Sequence, residues 1–282
     1  MKVCYIIGYP IKHSMSPKMH NSAFQELGLD YRYEAAQVEP GQLANFINHV
    51  MKRPDVRGAS VTIPHKIAVM DELDVIDREA ADIGAVNTIV NVKGTLKGYN
   101  TDGLGALRAL NESMGDLSDK RVVLLGAGGA ARAVAYRIVQ EAAAVTILNR
   151  TLQRATELAK YLRVKSMKHK VEVSASPLDD AHLARVMGET DLLINATPVG
   201  MHPKIDETPV PKHILHSQLM VFDLVYNPLR TRLLREAEEE GARILGGVEM
   251  LVYQGAEAFR LWTGREAPVE LMLRVVKEAL GR

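Results

Sequence analysis

The 282 residues are 47% hydrophobic and 24% charged, with a formal net charge of +1; this supplies apolar surface for two ordinary folded domains and no overall field to draw nucleic acid or a membrane surface. The single cysteine, Cys4, lies in an apolar run, reads as a buried thiol and excludes an intramolecular disulfide. No stretch reaches the ~18 apolar residues of a membrane helix and no apolar signal segment opens the chain, so a cytoplasmic protein is expected, with a homodimer left open.

In chain order, residues 3–7 read as a strand and 17–27 as a helix ended by Gly28. A strand over 31–38, a helix over 42–51, a strand over 58–62, a helix over 67–83 and a strand over 88–92 follow. This alternation predicts a parallel or mixed sheet covered on both faces. A helix over 103–114 leads to the apolar strand Val122-Val123-Leu124-Leu125.

The glycine-rich turn Gly126-Ala127-Gly128-Gly129-Ala130 comes next, then a helix over 131–140 and a strand over 144–148 that ends in Asn149-Arg150-Thr151. Strand, glycine turn, helix and strand within about 30 residues form a dinucleotide-binding βαβ unit. The glycines let backbone N–H groups approach a pyrophosphate at the helix N-terminus. NAD sites usually place Asp or Glu at the end of the second strand, for the ribose 2′-hydroxyl. Here that place holds Asn149, Arg150 and Thr151, with Arg154 one helical turn on. Two guanidiniums and a hydroxyl suit a 2′-phosphate, so the cofactor is read as NADP(H). The competing reading is a ligand-free turn beside a solvated helix face capped by Thr151.

Beyond this unit a helix over 152–162, strands over 192–195 and 220–225, a helix over 230–240 and a strand over 243–245 are expected. Helices over 249–262 and 269–280 have apolar faces suited to returning to the first half. The most basic stretch, 150–170, is expected on the surface. The fold class is therefore two α/β domains with a substrate cleft between them, the second a Rossmann-type doubly wound parallel sheet. The expected division is 1–104 with 248–282 for substrate and catalysis, and 105–247 for NADP.

Four polar groups in the first half sit among turn signals. Ser14 and Ser16 precede Pro17, which suits Ser16 as a helix N-cap with Pro17 at the first helical position. A helix N-terminus with two hydroxyls also suits a carboxylate. In Thr62-Ile63-Pro64-His65-Lys66, Pro64 is expected to start a helix and put Lys66 in its first turn. The helix dipole would then oppose the ammonium and ease proton transfer; the alternative is a lysine that snorkels to solvent. Asp102 in Asn100-Thr101-Asp102 is either an N-cap or a partner for Lys66. Asn87 is either a turn residue or an amide that binds a hydroxyl. His13, His20 and His65 lack the i, i+4 spacing of a helical zinc site, so no metal is expected.

These stretches together resemble shikimate dehydrogenase. The resemblance runs almost end to end, through Gly8-Tyr9-Pro10-Ile11-Lys12-His13-Ser14-Met15-Ser16-Pro17, Val61-Thr62-Ile63-Pro64-His65-Lys66 and Gly84-Ala85-Val86-Asn87-Thr88. It continues through Asn100-Thr101-Asp102, the glycine turn at 126–130 and Asn149-Arg150-Thr151. It ends with Asn195-Ala196-Thr197-Pro198-Val199-Gly200-Met201, Asp223-Leu224-Val225-Tyr226-Asn227-Pro228 and Met250-Leu251-Val252-Tyr253-Gln254. The resemblance implies NADPH-dependent reduction of 3-dehydroshikimate to shikimate, in the pathway to aromatic amino acids. It implies Ser14 and Ser16 at the substrate carboxylate, and Thr62, Asn87, Asp102 and Gln254 at the ring hydroxyls, with Tyr226 nearby. Lys66 would be the catalytic acid/base beside Asp102, and Leu224 and Gly247 would line the nicotinamide end. Ser60 stands where such proteins often have Asn, and Val199 where they often have Leu; the first leaves the polar network behind Thr62 open. A quinate/shikimate dehydrogenase and a non-catalytic ligand sensor of the same fold are the alternatives, and intact Lys66 and Asp102 argue against the sensor.

Overall fold

A computed structural model of the chain describes residues 1–166 and 171–281. Of the basic stretch, residues 167–170 lie outside the described residues, and Arg150 and Arg154 are exposed. The chain divides into two units: Met1–Gly105 with Val252–Arg282, and Ala106–Leu251. Among the described residues no helix is long and apolar enough to cross a membrane.

The first unit opens with β1 (Lys2–Gly8), α1 (Ser16–Glu26) and β2 (Tyr31–Gln37). β1 lies between β2 and a third strand, parallel to both, and its near-continuous apolar run follows from burial on two faces. Helix α1 buries Met19, His20, Ala23 and Phe24 along one stripe. Gly28 ends it at φ +60, with the Gly28 N–H on Gln25 O and the Leu29 N–H on Phe24 O.

The segment expected as one helix over 42–51 is irregular. It is a 3-10 turn (Pro40–Gln42), the short α2 (Leu43–Phe46) and a π turn (Ile47–Met51), which bury Leu43, Ile47 and Met51. Next comes β3 (Val56–Val61). The expected helix over 67–83 does not exist as one element. A 3-10 turn (Ala68–Glu72), β4 (Val75–Ile76) and α3 (Arg78–Ile83) replace it. Two aspartates break it. The Asp74 N–H donates to Leu96 O and its carboxylate accepts the Leu96 N–H at 2.8 Å, while Asp77 caps α3 by accepting from the Glu79 N–H at 3.0 Å.

β5 (Thr88–Val92) and β6 (Thr95–Tyr99) form a hairpin whose two turn residues, Lys93 and Gly94, both have positive φ. The strand β6 was not anticipated from the sequence. The sheet order is β2-β1-β3-β5-β6-β4, with antiparallel pairing at β3–β5 and β5–β6. Helix α4 (Asp102–Met114) follows and carries the chain into the second unit.

The second unit is an all-parallel sheet of β7 (Arg121–Leu125), β8 (Ala144–Asn149), β9 (Glu172–Pro177), β10 (Leu192–Asn195), β11 (Met220–Asp223) and β12 (Arg243–Leu245). Its order, β12-β11-β10-β7-β8-β9, is doubly wound, with the direction of winding reversing between β7 and β10. The connecting helices are α5 (Gly129–Ile138), α6 (Leu152–Lys165), α7 (Asp180–Met187) and α8 (Arg232–Glu239). Val123, Leu125, Leu148, Leu193 and Val221 belong to one apolar core. β9 and α7 were not anticipated. β9 is a half-exposed, serine-rich edge strand, and α7 buries only Leu183 and Met187.

The chain leaves this unit within α9 (Gly247–Thr263) and ends with α10 (Val269–Leu280). In the first unit α10 packs on α1. Trp262 of α9 is fully buried, its indole N–H donating to Ile89 O at 2.9 Å. Around it stand Tyr33 and His20, whose ring stacks on Tyr33 at 4.4 Å. Complete burial pushes the His20 pKa down to about 3, so this imidazole is neutral.

Candidate active site

Lys66, Asp102, Asn87 and Gln254 come together in the first unit. Lys66 is not in a helix. It lies in a turn before the 3-10 segment at Ala68, so the dipole argument made from Pro64 does not apply. Two other contacts fix the turn. The Lys66 carbonyl accepts the Val86 N–H at 2.7 Å, and the buried His65 ring meets Val38 O at 2.6 Å through Nε2. Lys66 Nζ donates to Asp102 Oδ2 in an ion pair with only 14% and 6% of the two side chains exposed.

Asp102 is the first residue of α4, and its own N–H is held by Asn100 Oδ1 at 3.1 Å. Its second oxygen, Oδ1, accepts Asn87 Nδ2 at 2.9 Å. The same Asn87 amide reaches Thr101 Oγ1 at 2.9 Å and Gln254 Oε1 at 3.2 Å. Its carbonyl accepts from the Thr101 N–H at 2.8 Å and the Thr88 hydroxyl at 3.0 Å. Asn87 is therefore a buried connector joining β5, α4 and α9, and a charge pair at this depth depends on such a shell of bonds.

Ser14 and Ser16 sit at the start of α1. The helix N-cap is Met15, one residue earlier than the sequence reading placed it, and its own side chain makes no capping bond. Ser14 Oγ accepts the Ser16 N–H at 3.3 Å. Two hydroxyls at a helix N-terminus are donors that suit a carboxylate. Thr62 follows β3, its N–H on Ile7 O and its carbonyl under the His65 N–H, both at 2.9 Å. A side chain on Gly8 would meet Thr62 Cγ2 at 2.4 Å, so position 8 keeps Thr62 in place by being glycine. Behind it, the Tyr33 hydroxyl donates to Ser60 Oγ at 2.7 Å, which gives the buried Ser60 a partner from β2.

In the second unit the glycine turn joins β7 to α5 beside the reversal point of the sheet. Gly126 has φ +109, a conformation that favours glycine, and its N–H bonds Leu148 O at 2.8 Å. Gly128 is the N-cap of α5 and offers no side-chain bond, and a Cβ there would meet nothing within 4 Å. Ala127 is buried, and Gly129 and Ala130 form the first turn of α5, whose leading N–H groups have no partner within the helix. That is a fit for a pyrophosphate. At the end of β8, Asn149 Nδ2 holds Thr151 O at 2.9 Å, and Thr151 begins α6 without capping it by its side chain. The turn 149–154 contains no carboxylate, and Arg150, Thr151 and Arg154 are exposed, which fits a 2′-phosphate.

Leu224 and Gly247 also meet: a Cβ on Gly247 would lie 2.4 Å from Leu224 O. Tyr226 is half-buried and belongs to this second unit, unlike the other expected substrate residues. Below them is a network that sequence reasoning did not assign. Asp223, fully buried, accepts Asn195 Nδ2 at 2.9 Å, the Val225 N–H at 3.0 Å and the Thr231 hydroxyl at 2.7 Å. Burial pushes its carboxyl up to about 6. The available signal was an Asp and an Asn each closing an apolar strand. Among the described residues no group of three His, Cys, Asp or Glu side chains is placed to hold a metal.

Residues 6–89 match the shikimate dehydrogenase substrate binding domain, residues 108–227 the shikimate / quinate 5-dehydrogenase family, and residues 247–277 the shikimate 5'-dehydrogenase C-terminal domain. The shikimate dehydrogenase (NADP(+)) of Methanopyrus kandleri is 51% identical, over 98% of this chain and 94% of the relative. That of Moorella thermoacetica is 48% identical, over 98% and 92%. The crystal structure of shikimate 5-dehydrogenase from Thermus thermophilus in complex with NADP(H) and shikimate superposes with a TM-score of 0.87 at 38% identity, over 99% of this chain and 100% of that one. The chain belongs to the shikimate dehydrogenase family of oxidoreductases.

Proposed function

We propose that the protein reduces 3-dehydroshikimate to shikimate with NADPH, reversibly, and that Lys66 and Asp102 manage the proton. The observation that carries this reading is the buried Lys66–Asp102 pair, with Asn87 on the second carboxylate oxygen. Reduction of a ring ketone leaves an alkoxide that needs a proton and a nearby positive charge. The Lys66 ammonium can supply both. Asp102 orients the ammonium, and Asn87 keeps the carboxylate from turning away.

Ser14 and Ser16 hold the substrate carboxylate, so the ring has one orientation. Thr62, Asn87, Asp102 and Gln254 take the ring hydroxyls, with Tyr226 as a further substrate residue. Gly126, Ala127, Gly128, Gly129 and Ala130 hold the cofactor pyrophosphate, Arg150, Thr151 and Arg154 the 2′-phosphate with Asn149 bracing their turn, and Leu224 and Gly247 the nicotinamide end. The reduced nicotinamide, when bound, supplies the hydride to the ketone carbon. The NADP-linked activity named for the relatives supports the same reading.

The test is Lys66→Ala. Turnover is expected to fall about 10²–10⁴-fold, as for loss of a general acid/base. Shikimate affinity, measured separately by calorimetry, changes far less. Near-normal turnover would remove Lys66 from the chemistry.

A further inference from the structure

The end of the first sheet away from Thr62, Asn87 and Asp102 carries a charge pattern that the reaction does not use. β1 and β3 are parallel and begin at this end, with Lys2 and Val56. β5 runs against β3, Gly58 facing Val90 and Ser60 facing Thr88. Asn87 therefore falls at one end of the sheet, and Asn91, Lys93 and Gly94 at the other. The seven residues of β1, at ~3.3 Å each, separate the two ends by about 20 Å.

A cavity of about 630 Å³ opens at the far end. Lys2, Lys52, Arg57 and Lys93 all line it, and no Asp or Glu does. With a net charge of only +1 over the whole chain, four cations around one cavity are a local concentration. Arg57 is half-buried, its Nε donating to Trp262 O at 2.8 Å and its Nη1 to Asn91 O at 3.0 Å. Those two bonds fix the plane of the guanidinium and leave other N–H donors of its fork for a ligand. Of the carboxylates of this region only Asp74 meets one of these four cations, pairing with Lys52. Asp55 holds Arg53 at 2.6 Å, Asp30 pairs with the amino terminus, and Asp74 accepts from the Leu96 N–H, reaching Lys52 only at 3.3 Å.

The cationic loops are also tied together. Asn91 Nδ2 donates to Met51 O at 2.6 Å and Arg53 O at 3.1 Å, and its Oδ1 accepts the Gly94 N–H at 2.8 Å. One buried amide thus links the loop carrying Lys52 to the turn carrying Lys93. Lys93 itself has φ +54, in a turn position where Asn or Gly is the ordinary residue. A half-buried cation with no lining counter-charge is costly, and a bound anion offsets that cost.

We propose that this cavity binds a small anion bearing two or more negative charges, as phosphate or carboxylate groups. The site is independent of the cofactor's phosphates and of the substrate carboxylate. The test is calorimetry on the whole chain with inorganic pyrophosphate and, separately, citrate. The protein is used as wild type, Lys93→Asn, Arg57→Gln and Arg150→Ala/Arg154→Ala. Lys93→Asn removes a charge while giving the turn a more favourable residue, so its folding is secure even if Arg57→Gln perturbs the sheet. Besides the turn at 126–130, which also suits a pyrophosphate, one saturable site is expected, with affinity at least fivefold weaker in Lys93→Asn and Arg57→Gln and unchanged in the Arg150→Ala/Arg154→Ala protein. Tighter pyrophosphate binding marks a phosphate ligand, and tighter citrate binding a polycarboxylate. The proposal is overturned if neither anion gives saturable binding, or if Lys93→Asn binds as wild type does. It is also overturned if the arginine variant alone loses binding, which would locate the anion at the cofactor turn.

Discussion

The proton chemistry proposed for Lys66 and Asp102 rests on side chains whose positions come from backbone contacts far apart in sequence. Lys66 is held through Val86, and Asp102 through Asn100 and Asn87. The motif around Lys66 was legible in the sequence, but the physical reason offered for it was not the right one. Pro64 starts no helix, and the charge that faces the ammonium is Asp102 rather than a helix terminus. Gln254 shows the complementary limit: nothing in its local sequence pairs it with Asn87, which lies 167 positions away. Ser14 and Ser16 were legible as hydroxyls at a helix start, and they yield a prediction. Ser14→Ala and Ser16→Ala are each expected to raise the Michaelis constant for shikimate with little change in turnover. A hydroxyl bonded to a carboxylate contributes roughly 1.5–3 kcal/mol, so the rise is about 10–100-fold. The methyl ester of shikimate should be a poor ligand of the parent protein. Equal use of acid and ester, measured by competition, would remove the serines from carboxylate binding.

Among the elements, those with strong periodicity or continuous apolar runs were legible: β1, α1, β7, β8 and α10 fall close to their expected spans. Elements held by polar side chains were not. Asp74 and Asp77 divide what reads as one long helix, because a carboxylate on a backbone N–H competes locally with helix continuation. β9 was missed because an edge strand half in solvent shows no apolar alternation. The junction between β8 and α6 carries the cofactor prediction. Arg150→Ala/Arg154→Ala is expected to reduce the ratio of kcat/KM with NADP to that with NAD, at roughly 1.5–3 kcal/mol per lost charge-assisted contact. Activity with NAD should persist, because NAD lacks the phosphate these residues would hold. Equal loss with both cofactors would make the two arginines surface charges only.

At the level of the whole molecule, the doubly wound sheet and the mixed sheet follow from alternating strands and helices, and the Asp223 network ties the ends of β10 and β11 to Thr231. That network makes stability depend on pH. In the folded state burial raises the Asp223 carboxyl to about 6, above the ~3.9 of an unfolded chain. Its stabilising contribution is therefore complete below about pH 4 and lost as pH rises through about 6. Asp223→Asn cannot titrate at this position. Relative to the parent, the variant should gain about 1.4 kcal/mol between pH 5 and pH 8, read from urea unfolding midpoints. A difference between the two proteins that does not change with pH would contradict the assignment.

In the function proposed above, one unit positions shikimate for proton transfer and the other selects NADP. The most direct measurement follows the absorbance of the reduced nicotinamide for four pairs: shikimate or quinate as substrate, and NADP or NAD as oxidant. The highest kcat/KM is expected for shikimate with NADP, a lower value when NAD replaces NADP, and a lower value when quinate replaces shikimate. A higher kcat/KM with quinate, or with NAD, would contradict it.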